Sequence, residues 1–374
     1  MSITIDEGRY DRQELITWWN QDLLHAARVL VVGAGALGNE VMKNLALIGL
    51  GHLTVIDLDV VERSNLSRCV FFRETDNGRF KARVVAEAIA ELNPDVDVTG
   101  IAADITRQGT GWIRSFDLVI GALDNREARV WINQACRKMG LTWIDGAIEG
   151  LRGIAKVFPP EGACYECTLG ERDREILARR RSCSLLSTDE LLAGKVPTTA
   201  TSSSIIAGVQ VQEAIRLLHG QQSPLANAGW MFVGESIDAY RVEYGFDENC
   251  LAHDNYDDIR LTEFDSDLTA KDLIARSGFD HVDAIEFEMD LLLSLSCTAC
   301  GSEEDVGRRI DAVESSLAHC QTCGEPNSLR TSLSLSPDEP ASQTPLQALG
   351  LPQDDIVTIR SGEQRIHFHL GSTK

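Results

Sequence analysis

The stretch that decides the fold is an apolar run followed at once by three closely spaced glycines, Val29-Leu30-Val31-Val32-Gly33-Ala34-Gly35-Ala36-Leu37-Gly38. A buried strand leading through a glycine turn into a helix is typical of nucleotide-binding α/β domains. The glycines permit a tight turn and let backbone N–H groups approach phosphate oxygens at the positive end of the helix. Asp57 ends the next predicted strand, where it can accept hydrogen bonds from ribose hydroxyls. These features alone fit a dinucleotide-dependent dehydrogenase equally well.

Strand and helix patterns alternate from this stretch onward. The sequence predicts strands over 28–32, 53–57, 116–121 and 152–158, and helices over 39–50, 81–92, 126–139 and 201–218. Such alternation indicates an α/β fold with a mostly parallel sheet covered by helices. Signals in the last third are weaker: a helix near 270–277, strands near 284–295 and 356–369, and a Ser/Pro-rich connector around 332–345.

Composition and charge limit the possible functions. The 374 residues carry a formal net charge of −22, and residues 251–374 alone hold 23 acidic against 9 basic side chains. This excess argues against bulk binding to nucleic acid or to an anionic membrane. No apolar stretch is long enough for a membrane helix and no export signal opens the chain, so we expect a cytoplasmic protein.

A second polar set follows the glycine loop and favours a triphosphate over a nicotinamide cofactor. It comprises Asp57-Leu58-Asp59, Ser64-Asn65-Leu66-Ser67-Arg68, Lys81 and Asp124-Asn125, several of them just beyond predicted strand ends. A dinucleotide carries only a pyrophosphate, whereas a triphosphate needs cationic side chains for its tail and a carboxylate for Mg²⁺. We therefore expect ATP and Mg²⁺ as cofactors.

These motifs resemble a known family. Together with Arg9-Tyr10-Asp11-Arg12-Gln13 and Cys164-Tyr165-Glu166-Cys167, they look like the ThiF/MoeB/ubiquitin-activating (E1-like) adenylating enzymes, in family order over about residues 9–250. The strand end Ala122-Leu123-Asp124-Asn125 is closer to activators of ubiquitin-like modifiers than to sulfur-carrier activators, which usually read Cys-Thr-Asp-Asn. Two departures are Cys69, where the family usually has Gln, and Phe80, where it usually has Pro.

The resemblance implies a role for each matched residue. Gly33, Gly35 and Gly38 would approach the phosphates and Asp57 would hold the ribose. The remaining nucleotide-site and Mg²⁺-site residues would be Asp59, Asn65, Arg68, Lys81, Asp124 and Asn125, with Mg²⁺ on Asp124. Arg12, on an N-terminal helix, would act as an arginine finger in the partner's site, which implies a homodimer.

The implied reaction is adenylation of the C-terminal carboxylate of a ubiquitin-like protein, then thioester formation and transfer to a conjugating (E2-like) enzyme. The thiol would be Cys183, whose position resembles the family's crossover loop, here about 168–200. Five arginines precede it, and nearby guanidinium groups favour thiolate. The alternative is a bystander thiol beside a solvated Arg-rich helix. We expect an adenylation domain over 1–253 and a smaller zinc-binding accessory domain over 254–374.

The remaining cysteines indicate two zinc sites. Cys164 and Cys167 would be completed by Cys250 and His253, where relatives place a second C-x-x-C pair. A later four-cysteine pattern, each pair followed by Gly, comprises Cys297, Cys300, Cys320 and Cys323. A competing arrangement pairs Cys164 and Cys167 with one of the later pairs and leaves the other metal-free.

Three other functions stay open. A sulfur-carrier-protein adenylyltransferase of the MoeB/ThiF type would need no obligatory thioester, and the zinc-bearing tail counts modestly against it. A non-catalytic scaffold subunit would not need Arg12, Lys81 and Asp124 together. An NAD-dependent oxidoreductase is disfavoured by the polar set suited to a triphosphate.

Overall fold

The computed structural model describes residues 8–170 and 197–371, and these form two compact units. The first unit comprises the described residues of 8–106, 114–169 and 197–255, and the second comprises 107–113, 170 and 256–371. The short segment 107–113 belongs to the second unit, and no sequence pattern indicated this assignment. The domain boundary expected at residue 253 stays a prediction.

Among the described residues, the first unit is built on an eight-stranded sheet of order β3-β2-β1-β4-β5-β6-β7-β8. The strands are β1 Arg28–Val32, β2 His52–Ile56, β3 Asp97–Ile101, β4 Leu118–Gly121, β5 Trp143–Glu149, β6 Arg152–Phe158, β7 Ala228–Val233 and β8 Asp238–Glu243. Strands β3 to β5 in this order pair in parallel, and β5 to β8 pair antiparallel. The predicted mostly parallel α/β fold is confirmed in its first half, and the antiparallel half extends it.

Helices cover this sheet because their apolar faces need burial. Those with buried residues are α2 Gln21–Ala26, α3 Ala36–Leu47, α4 Lys81–Leu92, α5 Arg126–Lys138 and α6 Ala200–Leu218, whereas the short helix α1 Asp11–Glu14 has none. The predicted bounds of β1, α4 and β6 agree with the structure. Helix α3 begins three residues earlier than predicted, directly after Gly35, because the glycine turn passes into the helix without a linker.

The strand order predicts a ligand-binding crevice at the carboxyl ends of the central strands. The chain moves outward from β1 to β2 and β3, then returns to the other side of β1 as β4. Open α/β sheets bind ligands where the strand order reverses in this way, outside the carboxyl ends of the strands. Here the segments that leave β1 and β4 are the glycine loop and Asp124-Asn125.

The second unit has a six-stranded sheet in the described part of the chain, of order β11-β10-β13-β14-β9, with β12 also paired to β10. Its elements are β9 Ile259–Glu263, α7 Ala270–Ser277, β10 Ala284–Ser296, β11 Glu303–Arg309, β12 Ser328–Leu335, β13 Ile356–Ser361 and β14 Gln364–Gly371. Helix α7 begins at a Thr269/Asp272 capping box and ends at Gly278 in the left-handed conformation, as such signals predict. The core of the second unit includes the buried residues Leu273, Ile285 and Phe368.

Two predictions in this unit were wrong. The single strand expected over 356–369 is a hairpin, because Gly362, at φ +58°, permits a two-residue turn. The connector expected over 332–345 contains the end of β12 and a 3-10 turn, Pro340–Gln343. Strand β12 is rich in serine and mostly exposed, so its composition resembles that of a loop. No helix within 8–170 or 197–371 has the length and apolar character needed to cross a bilayer.

The buried carboxyl of Asp355 should make the stability of the second unit pH-dependent. Burial raises the pKa of Asp355 from 3.8 to about 7, while its Oδ1 accepts a hydrogen bond from the Thr110 N–H at 3.1 Å. The folded chain therefore retains a proton that the unfolded chain releases. The free energy of unfolding is expected to fall as the pH rises from about 4 to about 7, by up to about 1.4 kcal/mol per pH unit.

Chemical unfolding of Asp355→Asn measures this effect. The amide retains the acceptor oxygen without a charge, so the variant should lose the fall in stability. The control Glu303→Gln removes an exposed acid from the same unit and should retain it. An Asp355→Asn protein with the wild-type pH profile would contradict the assignment.

Candidate nucleotide and metal sites

The glycine loop is packed so tightly, against the end of β4 and against itself, that two of its glycines cannot carry a side chain. Gly33 has φ +100°, and a Cβ there would collide with the Ala122 carbonyl oxygen. A Cβ at Gly38 would collide with the carbonyl oxygen of Gly33 itself. Gly35 faces open space, since a Cβ there would meet no atom within 4 Å. This cradle fits the close approach of a phosphate group to the backbone.

Asn39 fixes the shape of this loop, and sequence reasoning missed it. The fully buried side chain donates from Nδ2 to the carbonyl oxygens of Ala34, at 2.7 Å, and Gly35, at 3.1 Å. Its Oδ1 accepts from the Phe71 N–H at 3.0 Å. The amide therefore ties the glycine loop to the segment that follows Arg68. The sequence signal was a polar residue on the buried side of α3.

Asp57, Asp59 and Lys81 form one charged group beyond the end of β2. Asp57 accepts from the N–H groups of Ala34, at 2.6 Å, and Asp59, at 2.8 Å, so it also holds the glycine loop. Lys81 Nζ donates to Asp59 Oδ2 at 2.7 Å. Burial raises the pKa of the Asp57 carboxyl, although the charge of Lys81 opposes this. For Lys81, burial acts to lower the pKa, but the charges of Asp57 and Asp59 raise it overall.

The Ser-Asn-Leu-Ser-Arg stretch forms a tight turn beside this group. Asn65 is buried, and its Oδ1 accepts from the Glu62 N–H at 2.8 Å, so a phosphate could be contacted only through its NH₂ group. Arg68 is half-buried and donates to the Ser64 carbonyl oxygen. Burial raises the pKa of the Cys69 thiol to about 11, and the nearby charges of Arg68 and Lys81 oppose that rise. The charged groups of Arg68 and Lys81, which are both expected to contact the triphosphate, therefore lie near the same protonated thiol, that of Cys69.

Asp124 and Asn125 lie beyond the carboxyl end of β4, where the fold predicts a ligand. Asp124 is exposed, and Asn125 caps helix α5 by accepting from the Ala128 N–H at 2.7 Å. The buried Arg129 donates to the Leu123 carbonyl oxygen and, from Nε, to Asp145 Oδ1 at 2.8 Å. Burial would raise the pKa of Asp145, but the charges of Arg129 and Lys156 lower it overall. The backbone that carries Asp124 is thus anchored by a buried ion pair.

Arg12 lies in the short exposed helix α1. This helix is tethered by Tyr10, whose hydroxyl accepts from Asn93 Nδ2 at 2.8 Å and donates to Asp95 Oδ2 at 3.0 Å. Burial raises the pKa of Tyr10, so the phenol stays protonated. Whether Arg12 reaches a partner's site stays a prediction. Cys183 and the arginines before it lie outside the described residues.

The first metal cluster comprises Cys164, Cys167, Cys250 and His253, whose ligand atoms all lie within 4.8 Å of one another. Cys164 Sγ is 3.7 Å from the Sγ atoms of both Cys167 and Cys250, and Cys167 Sγ is 3.2 Å from His253 Nε2. A tetrahedral zinc with bonds of ~2.3 Å places two sulfurs about 3.8 Å apart. The donor set therefore fits zinc. The structure brings together the two ligand pairs expected from the sequence, Cys164 with Cys167 and Cys250 with His253.

The surroundings favour the ligating form of His253. Its ring stacks on Phe246 with centroids 4.5 Å apart. Burial and the charge of Arg137 lower the pKa of His253, which favours the neutral imidazole that binds metals. Burial raises the pKa of Cys250 to about 12, so metal binding there must displace a proton. No sequence pattern indicated Phe246.

The second metal cluster comprises Cys297, Cys300, Cys320 and Cys323 in the second unit. The Sγ–Sγ distances are 3.5 Å for Cys297–Cys323 and 3.6 Å for Cys300–Cys320. Each pair ends in a glycine with positive φ whose N–H donates to the first cysteine's carbonyl oxygen, in both cases at 2.8 Å. Hydrogen bonds from the Ser302 hydroxyl and from backbone N–H groups lower the pKa of Cys320 to about 5. This repeated knuckle also fits zinc.

Comparisons with known proteins agree with the motifs. The sequence profile of the ThiF family matches residues 10–252. The chain is 32% identical over 231 residues to a SAMP-activating enzyme E1 of Haloferax volcanii, covering 58% of this chain and 79% of that protein. It is 38% identical over 164 residues to a NEDD8-activating enzyme E1 catalytic subunit of Caenorhabditis elegans, covering 40% of this chain and 38% of that protein.

A third relative and one solved structure complete the comparison. The chain is 30% identical over 246 residues to a ubiquitin-like modifier-activating enzyme 5 of rice, covering 60% of this chain and 56% of that protein. The crystal structure of Escherichia coli MccB with AMPCPP and MccA shares the fold, with a TM-score of 0.55, 23% identity, and coverage of 66% of this chain and 74% of that one. Because the family profile extends over more than half of its residues, the chain belongs to the ThiF family, as the order of its motifs predicted.

Proposed function

We propose that this chain activates a ubiquitin-like protein. It adenylates the C-terminal carboxylate of that protein with ATP, takes the acyl group onto Cys183 as a thioester, and transfers it to a conjugating (E2-like) enzyme. The names of the relatives support this class, since three of them are activating enzymes for SAMP, NEDD8 and a ubiquitin-like modifier.

One observation carries the proposal: the segments that follow β1, β2 and β4 carry the residue types that a magnesium triphosphate would need. The glycine cradle follows β1, and Asp124 follows β4. Lys81, held by Asp59, and Arg68 supply positive charge around Cys69. A dinucleotide would use the cradle and Asp57 alone, whereas a triphosphate uses the whole set.

The chemistry requires alignment and charge neutralisation. A terminal carboxylate oxygen attacks the α-phosphorus of ATP, the bond between this phosphorus and the bridging oxygen breaks, and pyrophosphate leaves. The backbone of the cradle would orient the phosphates, and Lys81 and Arg68 would offset the charge that develops on the leaving group. Asp124 would hold Mg²⁺, which supplies further positive charge to the phosphates.

The thioester step would use Cys183, which lies outside the described part of the chain. The thiolate of Cys183 attacks the acyl carbon of the adenylate, and AMP leaves with the electron pair of the anhydride bond. The arginines that precede Cys183 in the sequence would favour the thiolate. A homodimer in which Arg12 completes the partner's site is part of the same proposal, because Arg12 is exposed on a tethered helix.

Replacing Lys81 tests the nucleotide site. Lys81→Ala should lower modifier-dependent ATP–pyrophosphate exchange by about 100-fold, the order of loss seen when one preorganised contact to developing charge is removed. The organism's ubiquitin-like proteins would be supplied in turn. Arg83→Ala removes an exposed cation from the same helix and should leave exchange unchanged. Equal losses in the two variants, or no exchange in the wild type, would contradict the proposal.

Replacing Cys183 separates the two steps. Cys183→Ala should retain pyrophosphate exchange but lose the thiol-sensitive covalent adduct on a non-reducing gel, because only the second step needs the thiol. Cys69→Ala should retain the adduct, since burial raises the pKa of that thiol to about 11 and keeps it protonated. Exchange without an adduct in the wild type would favour a sulfur-carrier adenylyltransferase.

Metal content tests the zinc assignment. We expect two zinc ions per chain by elemental analysis, because two separate donor sets have tetrahedral spacing. Cys250→Ser and Cys320→Ser should each lose one ion, and the double variant should lose both. One ion in the wild type that is retained in Cys250→Ser would support the competing arrangement, in which Cys250 is not a ligand.

A further inference from the structure

One face of helix α5 carries a row of polar side chains at four-residue intervals: Asn125, Arg129, Asn133 and Arg137. Residues four apart lie on the same side of a helix. The last three are only 8%, 1% and 8% exposed, although arginine and asparagine are mostly surface residues. The helix therefore presents a buried polar edge that spans ~18 Å along its axis.

The N-terminal end of this edge fixes the residues on both sides of Asp124. The Asn125 side chain caps the helix through the Ala128 N–H. Arg129 donates to the carbonyl oxygen of Leu123 and, at 3.0 Å, to that of Gly146, while its Nε is bound to Asp145. The side chain of Asp124 is exposed. Its backbone is therefore held in place by its two neighbours, Leu123 and Asn125, which make the hydrogen bonds described above.

The C-terminal end of the same edge holds the first metal cluster. Asn133 Oδ1 accepts from the Tyr165 N–H at 2.8 Å, and its Nδ2 donates to Glu166 Oε1 at 3.2 Å. Arg137 donates to the Gly162 carbonyl oxygen at 3.1 Å. These contacts lie directly before and between Cys164 and Cys167. The turn Leu251–His253, which carries another ligand, also packs on α5.

We propose that the polar edge of α5 couples the first metal cluster to Asp124, with Asn133 and Arg129 as positioning residues. A metal in the cluster would fix the 162–167 segment, that segment would hold Asn133 and Arg137, and the rigid helix would carry the constraint to Asp124. This inference rests on the proposed function, because it assigns Asp124 to a magnesium nucleotide. Coupling is reciprocal, so the bound nucleotide also holds the metal.

Calorimetry with two nucleotides tests the positioning role. Asn133→Leu should weaken binding of Mg·AMPPNP about tenfold, within the usual range of coupling, and change binding of AMP less than twofold. AMP lacks the phosphates that a metal on Asp124 would bridge, whereas a general loss of structure would weaken both ligands. The control is Gln134→Leu, whose Nε2 donates to the same Glu166 carboxylate at 3.0 Å from outside the row. It should bind both nucleotides as the wild type does.

Zinc release gives a second readout that does not depend on the folding of a helix variant. In Cys320→Ser, which should retain zinc only in the first cluster, Mg·AMPPNP should slow zinc transfer to a chromogenic chelator about tenfold. AMP should not slow it. Unchanged zinc release together with wild-type affinity of Asn133→Leu for Mg·AMPPNP would overturn the coupling while leaving the proposed function intact. Absence of any nucleotide binding would overturn both.

Discussion

The constraint on which the first unit depends is the close contact between the glycine loop and the end of β4. Gly33 lies so near the Ala122 carbonyl oxygen that no side chain fits, and Gly38 lies equally near Gly33. This contact brings together the two strand ends at which the strand order reverses. It also fixes the start of α3, whose first N–H groups have no partner within the helix and could bind a phosphate. A larger residue at Gly33 would separate the cradle from Asp124, and the nucleotide site would lose its geometry.

Buried ion pairs of Asp145 hold the backbone next to this contact. Asp145 is fully buried, yet its pKa is lowered because Arg129 lies at 2.8 Å and Lys156 at 3.5 Å. Removing one member of such a pair typically costs about 3–5 kcal/mol, because the remaining charge stays buried and uncompensated. The same Arg129 holds the carbonyl oxygen of Leu123, so the ion pair serves both the stability of the sheet and the placement of the segment that carries Asp124. Stability and site geometry therefore share one interaction in this fold.

The sequence predicted the parts of the structure that leave a local pattern. The bounds of β1 and α4 could be read because buried parallel strands form continuous apolar runs and helices repeat every three to four residues. Strand β3 was not predicted: it alternates polar residues and contains Gly100, whose small size lets the Ala82 carbonyl of α4 approach. In the site, the predicted residue types lie at the predicted strand ends. The hydrogen bonds of Asn39 to Phe71 and of Asp57 to Ala34 join distant positions, and such pairings leave no signal in a single sequence.

The strongly acidic composition also shows what net charge can and cannot decide. A polyanion such as DNA contacts a surface over tens of ångströms, so a net charge of −22 opposes it. A mononucleotide is far smaller than a DNA-binding surface, and charges more than a Debye length of ~8–10 Å away are largely screened at ordinary salt, so it senses chiefly the groups that line its own pocket. In the proposed nucleotide site these include Lys81, whose side chain is 11% exposed and whose pKa is raised by Asp57 and Asp59 although burial acts to lower it. The acidic partners keep this cation charged in a half-buried position, so the negative residues around the site help to retain the positive charge that a triphosphate requires.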